Sequence, residues 1–190
     1  SALAAHSISV ERAFMERMSS LARDRKPDVT LWYNVRTLLA HRRADGIGAE
    51  LGYLSHIELE SLPSGIWGYN HFPLHVRYLA TLGLPIKGQT GRFHRSWGDF
   101  GGIKNLAALE YECLSMLAHG AGCSVGDQMH PRGRLDRPVY RRIGEVFRQV
   151  EALEPWCRGA ALQADVAILA ATGCRSDVDG RDSDEGALRV

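Results

Sequence analysis

Ser55-His56-Ile57-Glu58-Leu59-Glu60-Ser61-Leu62-Pro63 is an alternation of polar and apolar residues that is typical of a β-strand with two different faces. Alternate side chains of a strand share a face, so we expect His56, Glu58 and Glu60 on one side of it. Burying unpaired carboxylates is costly, which argues against an ordinary buried strand. Two carboxylates at the end of a strand suit acid/base chemistry. The alternative is an antiparallel edge strand with one wetted face.

The composition is that of a folded protein and argues against several classes of function. The chain has 190 residues, of which 45% are hydrophobic and 24% charged, and its net charge of +1 gives no reason to expect a nucleic-acid or anionic-membrane partner. No apolar run approaches the ~20 residues that span a bilayer, and no secretory signal is visible. The four cysteines lack CxxC spacing, which indicates free thiols in a reducing, cytoplasmic compartment and neither a disulfide frame nor a zinc site.

Helical and strand patterns alternate along the chain. Apolar residues at helical spacing predict a helix over 8–22, followed by four strand–loop–helix units. The four strands are expected at 29–35, 55–63, 84–90 and 123–128. Asn105 and Asp136 are predicted to cap the last two helices. This alternation favours a parallel sheet, and ligands of such sheets bind at the carboxyl ends of the strands.

Polar and aromatic residues gather at those carboxyl ends and in the loops beyond them. Besides the two glutamates, the candidate site residues are Asn34, His56, Trp67, His71, His94, Trp97, Asp99, Asp127, Gln128 and His130. This one-sided distribution favours an active-site face. Trp32, Trp67 and Trp97 together favour a carbohydrate ligand, because sugar C–H groups stack on an indole while hydroxyls bond to polar neighbours. Taken singly, each tryptophan could equally fill the top of the sheet.

Three runs carry a resemblance to a known family: Gly-Tyr-Asn-His-Phe-Pro at 68–73, Gly-Gln-Thr-Gly-Arg-Phe-His-Arg-Ser-Trp-Gly-Asp-Phe-Gly-Gly at 88–102, and Gly-Asp-Gln-Met-His-Pro-Arg-Gly-Arg-Leu-Asp at 126–136. They resemble the bacterial α-L-fucosidase-like glycoside hydrolase family 151, also described as a hypothetical glycosyl hydrolase with a β-galactosidase-type trimerisation domain. The stretches at 56–63 and 154–157 fit the same group. The resemblance covers about residues 8–160.

The resemblance implies an α/β fold of the (β/α)8 TIM-barrel type. Residues 1–158 would be the C-terminal half of the barrel, with about its last four βα units. Residues 159–190 would be a linker and the truncated start of a trimerisation-like α/β domain, whose first strand is expected at 163–171. A homo-oligomer, specifically a trimer, is implied by the same resemblance.

The resemblance also suggests where the catalytic groups lie. In related retaining α-fucosidases the nucleophile is an aspartate on the fourth strand, which would precede residue 1. Their acid/base glutamate comes from around the sixth strand, where Glu58 and Glu60 would sit. β-Galactosidases of the largest barrel clan carry the nucleophile at the end of the seventh strand. Here that strand ends at 87–91 without a carboxylate, so the fucosidase interpretation fits and the galactosidase one does not.

Three hypotheses remain open. The first is a glycoside hydrolase, α-L-fucosidase-like, in which Glu60 or Glu58 is the general acid/base and the other candidates bind the sugar, with no cofactor or metal. The second is a metal-dependent barrel hydrolase, with an ion bound by His56, Glu58, Asp127 and His130. The third is an inactive truncated or oligomerising module, since half a barrel exposes sheet edges and apolar surface.

Overall fold

The computed structural model describes residues 2–34, 37 and 47–167, which fall into two compact units. The described part of the first unit lies within Ser1–Ile57 and Leu82–Pro85, and the second unit comprises Glu58–Thr81 and Ile86–Ala167. None of the helices in the described residues is both long enough and apolar enough to span a membrane.

The first unit is built on helix α1 (Ala2–Arg25), with short 3-10 turns at Ile47–Ala49 and Leu51–Tyr53. The helix predicted at 8–22 is confirmed and is longer at both ends. Its buried positions are Met15 and Ser19, whereas Val10, Phe14 and Leu21 of the predicted apolar stripe are 48–57% exposed. Tyr33 returns to the helix, where its hydroxyl lies 3.0 Å from Ser19 Oγ.

The strand predicted over 29–35 does not form in its described residues, 29–34. This segment meets the chain before the first strand at one point only: Ser55 N–H donates to the Leu31 carbonyl at 2.8 Å, and the Leu31 N–H donates to Ser55 Oγ at 2.9 Å. A serine side chain thus takes the amide that a strand ladder would use. The prediction was wrong because β-branched and aromatic content measures a preference for a sheet environment, not a pairing partner.

The second unit is organised by a small parallel sheet of strands β1 (Ile57–Glu60), β2 (Ile86–Gly91) and β3 (Gly122–Gly126), in that spatial order. In register, β2 pairs with β3 so that Gly91 lies opposite Gly126. Between β1 and β2, Ser61 N–H donates to the Gln89 carbonyl at 2.7 Å. Three of the four predicted strands, and their parallel arrangement, are therefore confirmed.

A helix follows each strand: α2 (His71–Leu79), α3 (Leu106–Ala118) and α4 (Arg137–Cys157). Asn105 caps α3 as predicted, since its side-chain oxygen accepts from Ala107 N–H at 3.0 Å. Asp136 occupies the N-cap position of α4, but its side chain makes no capping bond. Pro138 in the first turn is compatible with a helix start, because its missing N–H would have had no intrahelical partner.

The two faces of the sheet differ completely. On the helix side, a methyl group at Gly88 would lie 2.6 Å from Met116 of α3 and 2.8 Å from Phe72 of α2, so the helices approach this strand as closely as glycine permits. Leu109 and Cys113 of α3, with Val146 of α4, continue this core. The side chains that alternate with these along β1 and β2 point to the other face, which we call the open face.

The tail of the described chain is exposed coil. Residues 163–167 form no strand and are exposed, so the expected buried strand at 163–171 is wrong over its described part, and 168–171 lie outside the described residues. The expected start of a trimerisation-like domain at 159–190 likewise lies mostly outside them. Trp156, in the last turn of α4, is 82% exposed in this chain.

Candidate functional site

The open face of the sheet carries the two carboxylates that the sequence singled out. Along β1, Ile57 and Leu59 are fully buried, whereas Glu58 and Glu60 are partly accessible, as the alternation predicted. Glu58 Oε1 accepts a hydrogen bond from Lys87 Nζ of β2 at 2.9 Å, which makes an ion pair across the two strands. The Glu58 carboxylate is thus paired with a cation from the neighbouring strand.

Glu60, at the carboxyl end of β1, is bound by a neutral donor. The indole Nε1–H of Trp97 donates to Glu60 Oε1. Trp97 belongs to the loop between β2 and α3, 37 residues further along the chain. Glutamate and tryptophan, predicted separately as site residues, are therefore brought into direct contact.

The loop that carries Trp97 is held by Arg92, which directly follows β2. Arg92 Nε donates to Asp127 Oδ1 at 2.7 Å, and its NH1 donates to the carbonyls of Phe100 and Gly102 at 3.1 and 2.7 Å. Its guanidinium carbon also lies 4.3 Å from the centre of the Phe93 ring. One planar cation with several donors thus ties the end of β3 to the far end of the loop.

A second group of aromatic side chains lies after β1. His71 Nδ1 lies 3.0 Å from Ser61 Oγ, and its ring stacks obliquely on those of Trp67 and His75, with centroids 4.8 and 4.3 Å away. Burial, and then the nearby charge of His75, lowers the pKa of His71 to about 4. The imidazole is therefore neutral at neutral pH and suits hydrogen bonding rather than charge pairing.

The helix side of the sheet holds a different ionic cluster, which lies away from the open face. Lys104 Nζ donates to Glu112 Oε2 at 2.6 Å and to Thr90 Oγ1 at 2.8 Å, and the Thr90 hydroxyl donates to the same carboxylate oxygen at 2.6 Å. We call Lys104, Glu112 and Thr90 the buried triad. Burial, and then the charge of Glu112, raise the pKa of the Tyr69 hydroxyl.

The remaining predicted site residues are distributed unevenly. Asp127 accepts from both Arg92 and the Gln128 N–H, the latter at 2.7 Å. His94 is exposed, and its carbonyl accepts from Ser64 Oγ at 2.8 Å. His130 is exposed too, with Nδ1 accepting from Arg132 N–H at 3.1 Å. The other three are Asn34, His56 and Asp99.

Asn34 and His56 belong to the first unit, Asn34 in exposed coil and His56 half-buried just before β1. Asp99 is half-buried in the Trp97 loop, where its N–H donates to the Ser96 carbonyl at 3.2 Å. Across the described residues, no three histidine, cysteine, aspartate or glutamate side chains come together as a metal site. Of the ligands in the metal hypothesis, Glu58 is paired with Lys87 and Asp127 with Arg92.

Three residues of this region were not predicted as site residues. Lys87 pairs with Glu58, Arg92 organises the loop, and Ser61 binds His71. Alternation along β2 would have placed Lys87 on the face of the glutamates once the register with β1 was known. Nothing in the sequence indicated the three bonds of Arg92, because two of them go to backbone carbonyls.

The unit therefore belongs to the class of α/β structures whose charged side chains lie at the carboxyl ends of parallel strands. A search of solved structures adds a specific likeness: the chain is similar to "Alpha-L-fucosidase isoenzyme 2 from Paenibacillus thiaminolyticus", at 44% identity with a TM-score of 0.74. The match covers 83% of this chain and 23% of that chain, so this chain spans less than a quarter of that protein's length. No protein-family model and no curated protein matches.

Proposed function

We propose that this chain contributes the acid/base part of a glycoside hydrolase active site of the α-L-fucosidase type. The observation that carries the proposal is the 44% identity to an α-L-fucosidase over 83% of the chain. The open face supports it with carboxylates at the end of a parallel strand, where enzymes built on such sheets place catalytic groups. The substrate class is a carbohydrate, with an α-linked fucoside as the specific candidate.

Within this proposal, Glu60 is the general acid/base and Glu58 is not. Glu60 is the last residue of β1, and its described partner is the uncharged indole of Trp97. Glu58 lies one step deeper and is paired with the ammonium of Lys87. A general acid must carry a proton and release it, and a neutral partner suits that cycle better than a bound cation.

The sugar-binding groups are proposed from the same region. His71 and Trp67 offer a neutral imidazole beside an indole, an arrangement that suits an uncharged polyol. Trp97, His94 and Asp99 come from one loop, and Asp127, Gln128 and His130 follow β3. Asp127 would act through Arg92, since the described bonds of its carboxylate go to Arg92 and to the adjacent backbone.

The proposed architecture is the C-terminal half of a TIM barrel over residues 1–158, followed by a linker into a trimerisation-like domain at 159–190. Three parallel strands, each followed by a helix, support the barrel part. The nucleophile is proposed to lie outside this chain, because a retaining pair needs its second carboxyl group about 5–5.5 Å from the first. A trimer and a cytoplasmic location complete the proposal, the latter supported by free thiols at Cys113, Cys123 and Cys157.

The test combines turnover with mass. The purified chain is examined by light scattering while hydrolysis of 4-nitrophenyl α-L-fucoside is followed. The unchanged chain is compared with Glu60→Gln and with the control Glu145→Gln, at an exposed position of helix α4. We expect the chain to bind a fucose-configured iminosugar. Where copies of the chain complete one another in an oligomer, we also expect hydrolysis, with a fall in kcat of about 10²- to 10⁴-fold in Glu60→Gln alone. A monodisperse chain that neither hydrolyses the fucoside nor binds a fucose-configured iminosugar would contradict the proposal, as would full activity in Glu60→Gln.

A further inference from the structure

We propose that Trp97 is a positioning residue for the carboxyl group of Glu60, and that position 126 is a glycine because this leaves room for the indole ring. This inference rests on the proposed glycosidase function, in which Glu60 handles the proton. It assigns to the indole N–H a role distinct from stacking on a sugar.

The first step is the bond itself. An indole N–H is a donor only, so it can bind a carboxyl oxygen but cannot exchange roles with it as a hydroxyl would. Its bond to Oε1 fixes one oxygen of Glu60. Among the described residues no further side chain is seen to bond to this carboxyl group, so Oε2 remains for proton transfer to the substrate.

The second step is the space around the ring. A methyl group at Gly126 would lie 2.2 Å from Cη2 of Trp97 and 2.6 Å from its Cζ3, which no side chain can accommodate without displacing the indole. At Gly91 a methyl group would lie 3.6 Å from Cζ3, an ordinary van der Waals distance, and closer to Leu62 and Phe93, each at 3.3 Å. Gly91 and Gly126 are register partners on β2 and β3, so both strands border the ring, and the missing side chain at Gly126 leaves the slot that the ring fills. Glycine weakens a strand, and its use where another group approaches closely is the usual reason for it.

The third step is the support behind the ring. Phe93, almost fully buried, meets Trp97 edge to face with centroids 5.7 Å apart. Arg92 covers Phe93 and holds the carbonyls of Phe100 and Gly102, which closes the loop around the indole. The ring is thus confined by the two strands on one side and by the loop on the other. A confined donor keeps the carboxyl group in one orientation, which is what precise proton transfer requires.

The bond can be tested without activity. The four tryptophans give four indole signals in a ¹⁵N-labelled sample, and Trp97→Phe identifies the one from Trp97. We expect that signal to shift in Glu60→Gln, which changes the acceptor of the bond, while Glu145→Gln leaves it unchanged. A Trp97 indole signal that does not change in Glu60→Gln would overturn the inference.

The catalytic consequence is tested on the same variants. Trp97→Phe keeps a ring but removes the N–H, so we expect kcat to fall by ~10- to 100-fold with KM changed less than about threefold, and the pH profile of kcat to shift. A stacking platform would instead raise KM. Gly126→Ala should reproduce both effects, whereas its matched control Gly122→Ala, on the same face of β3 with nothing nearer than 3.9 Å, should not.

The two readouts separate the two proposals. Turnover that is unchanged in kcat and pH profile in Trp97→Phe would overturn the positioning role and leave the glycosidase function standing. A Trp97 signal that responds to Glu60→Gln, in a chain that neither hydrolyses the fucoside nor binds the iminosugar, would overturn the proposed function and the catalytic part of this inference together. Should Gly126→Ala fail to fold, Trp97→Phe, which keeps a ring and removes the N–H, still tests the positioning role.

Discussion

Each face of the small sheet holds a lysine–glutamate pair, and the two pairs serve different ends. In the buried triad the Lys104 and Glu112 side chains are 1% and 3% exposed and 2.6 Å apart. On the open face the Lys87 and Glu58 side chains are 43% and 10% exposed and 2.9 Å apart. The chemistry of the two pairs is the same, and the difference is access to solvent.

Access decides what each pair contributes. A buried pair gains little net stability over apolar residues, but breaking it leaves a charge without a partner in a medium of low polarity. On the open face the Lys87 ammonium stays solvated whether or not the pair forms, and only the Glu58 carboxylate is mostly buried. The helix side of the sheet is therefore where substitutions should damage the fold, and the open face is where they should change chemistry.

The largest effect is expected from breaking the buried triad. Lys104→Met leaves the Glu112 carboxylate buried without its cation and should lower the free energy of unfolding by about 3–5 kcal/mol, measured by denaturant titration. The double variant Lys104→Met/Glu112→Leu should recover most of that loss, because it removes both charges. If the double variant were as unstable as the single one, packing and not charge would be responsible.

The next effect compares glycines on the two faces. Gly88→Ala places a methyl group against Met116 and Phe72 on the helix side and should cost about 1–3 kcal/mol through overpacking. Gly122→Ala on the open face meets only the Ile86 carbonyl, at 3.9 Å, and should change stability by less than about 0.5 kcal/mol. Thermal and denaturant unfolding measure the loss of stability in each variant. An equal loss in Gly88→Ala and Gly122→Ala would contradict the difference between the two faces.

The free energy of unfolding should depend on pH through His71. Its pKa is lowered to about 4 in the folded chain, so the folded state disfavours the proton that the unfolded state binds below about pH 6.5. Stability should therefore be complete above that pH and fall as the pH drops towards 4, by about 1–2 kcal/mol once solvent screening of a partly exposed ring is allowed for. His71→Asn should flatten the unfolding free energy over this window, and an unaltered slope would contradict the assignment.

The smallest effect is expected from the exposed pair. Lys87→Met should lower the free energy of unfolding by less than about 1 kcal/mol, and the difference from the unchanged chain should shrink further in high salt. Unfolding midpoints at low and high ionic strength measure this. A loss comparable to that of Lys104→Met would mean that the open face is buried in the protein in solution.

The sequence predicted the local parts of this unit well and the long-range parts poorly. Alternation in β1 identified both the buried and the accessible side chains, and Asn105 marked the start of α3, because those signals lie within a few residues. The strand at 29–35 was predicted from composition, yet the amide of Leu31 within it is bonded to the Ser55 side chain. Pairing is a property of two segments, and the composition of one segment cannot report it.

The candidate site shows the same limit. Glu60 and Trp97 were each recognised, but their bond depends on the path of a loop that Arg92 closes through backbone carbonyls. Residue type says nothing about which backbone oxygen a guanidinium will reach. The buried triad was not foreseen either, because a single sequence does not show that Lys104, Glu112 and Thr90 meet.

Because the Trp97 ring fills the space left by Gly126, the residue at either position limits which residues evolution can accept at the other. A larger residue at 126 becomes acceptable only once the indole has gone, and the indole fits only while 126 lacks a side chain. The two positions should therefore covary, with tryptophan accompanied by glycine and its loss accompanied by relaxation at 126. A chain in which the pair has been exchanged would need a different donor to orient the carboxyl group at the end of its first strand.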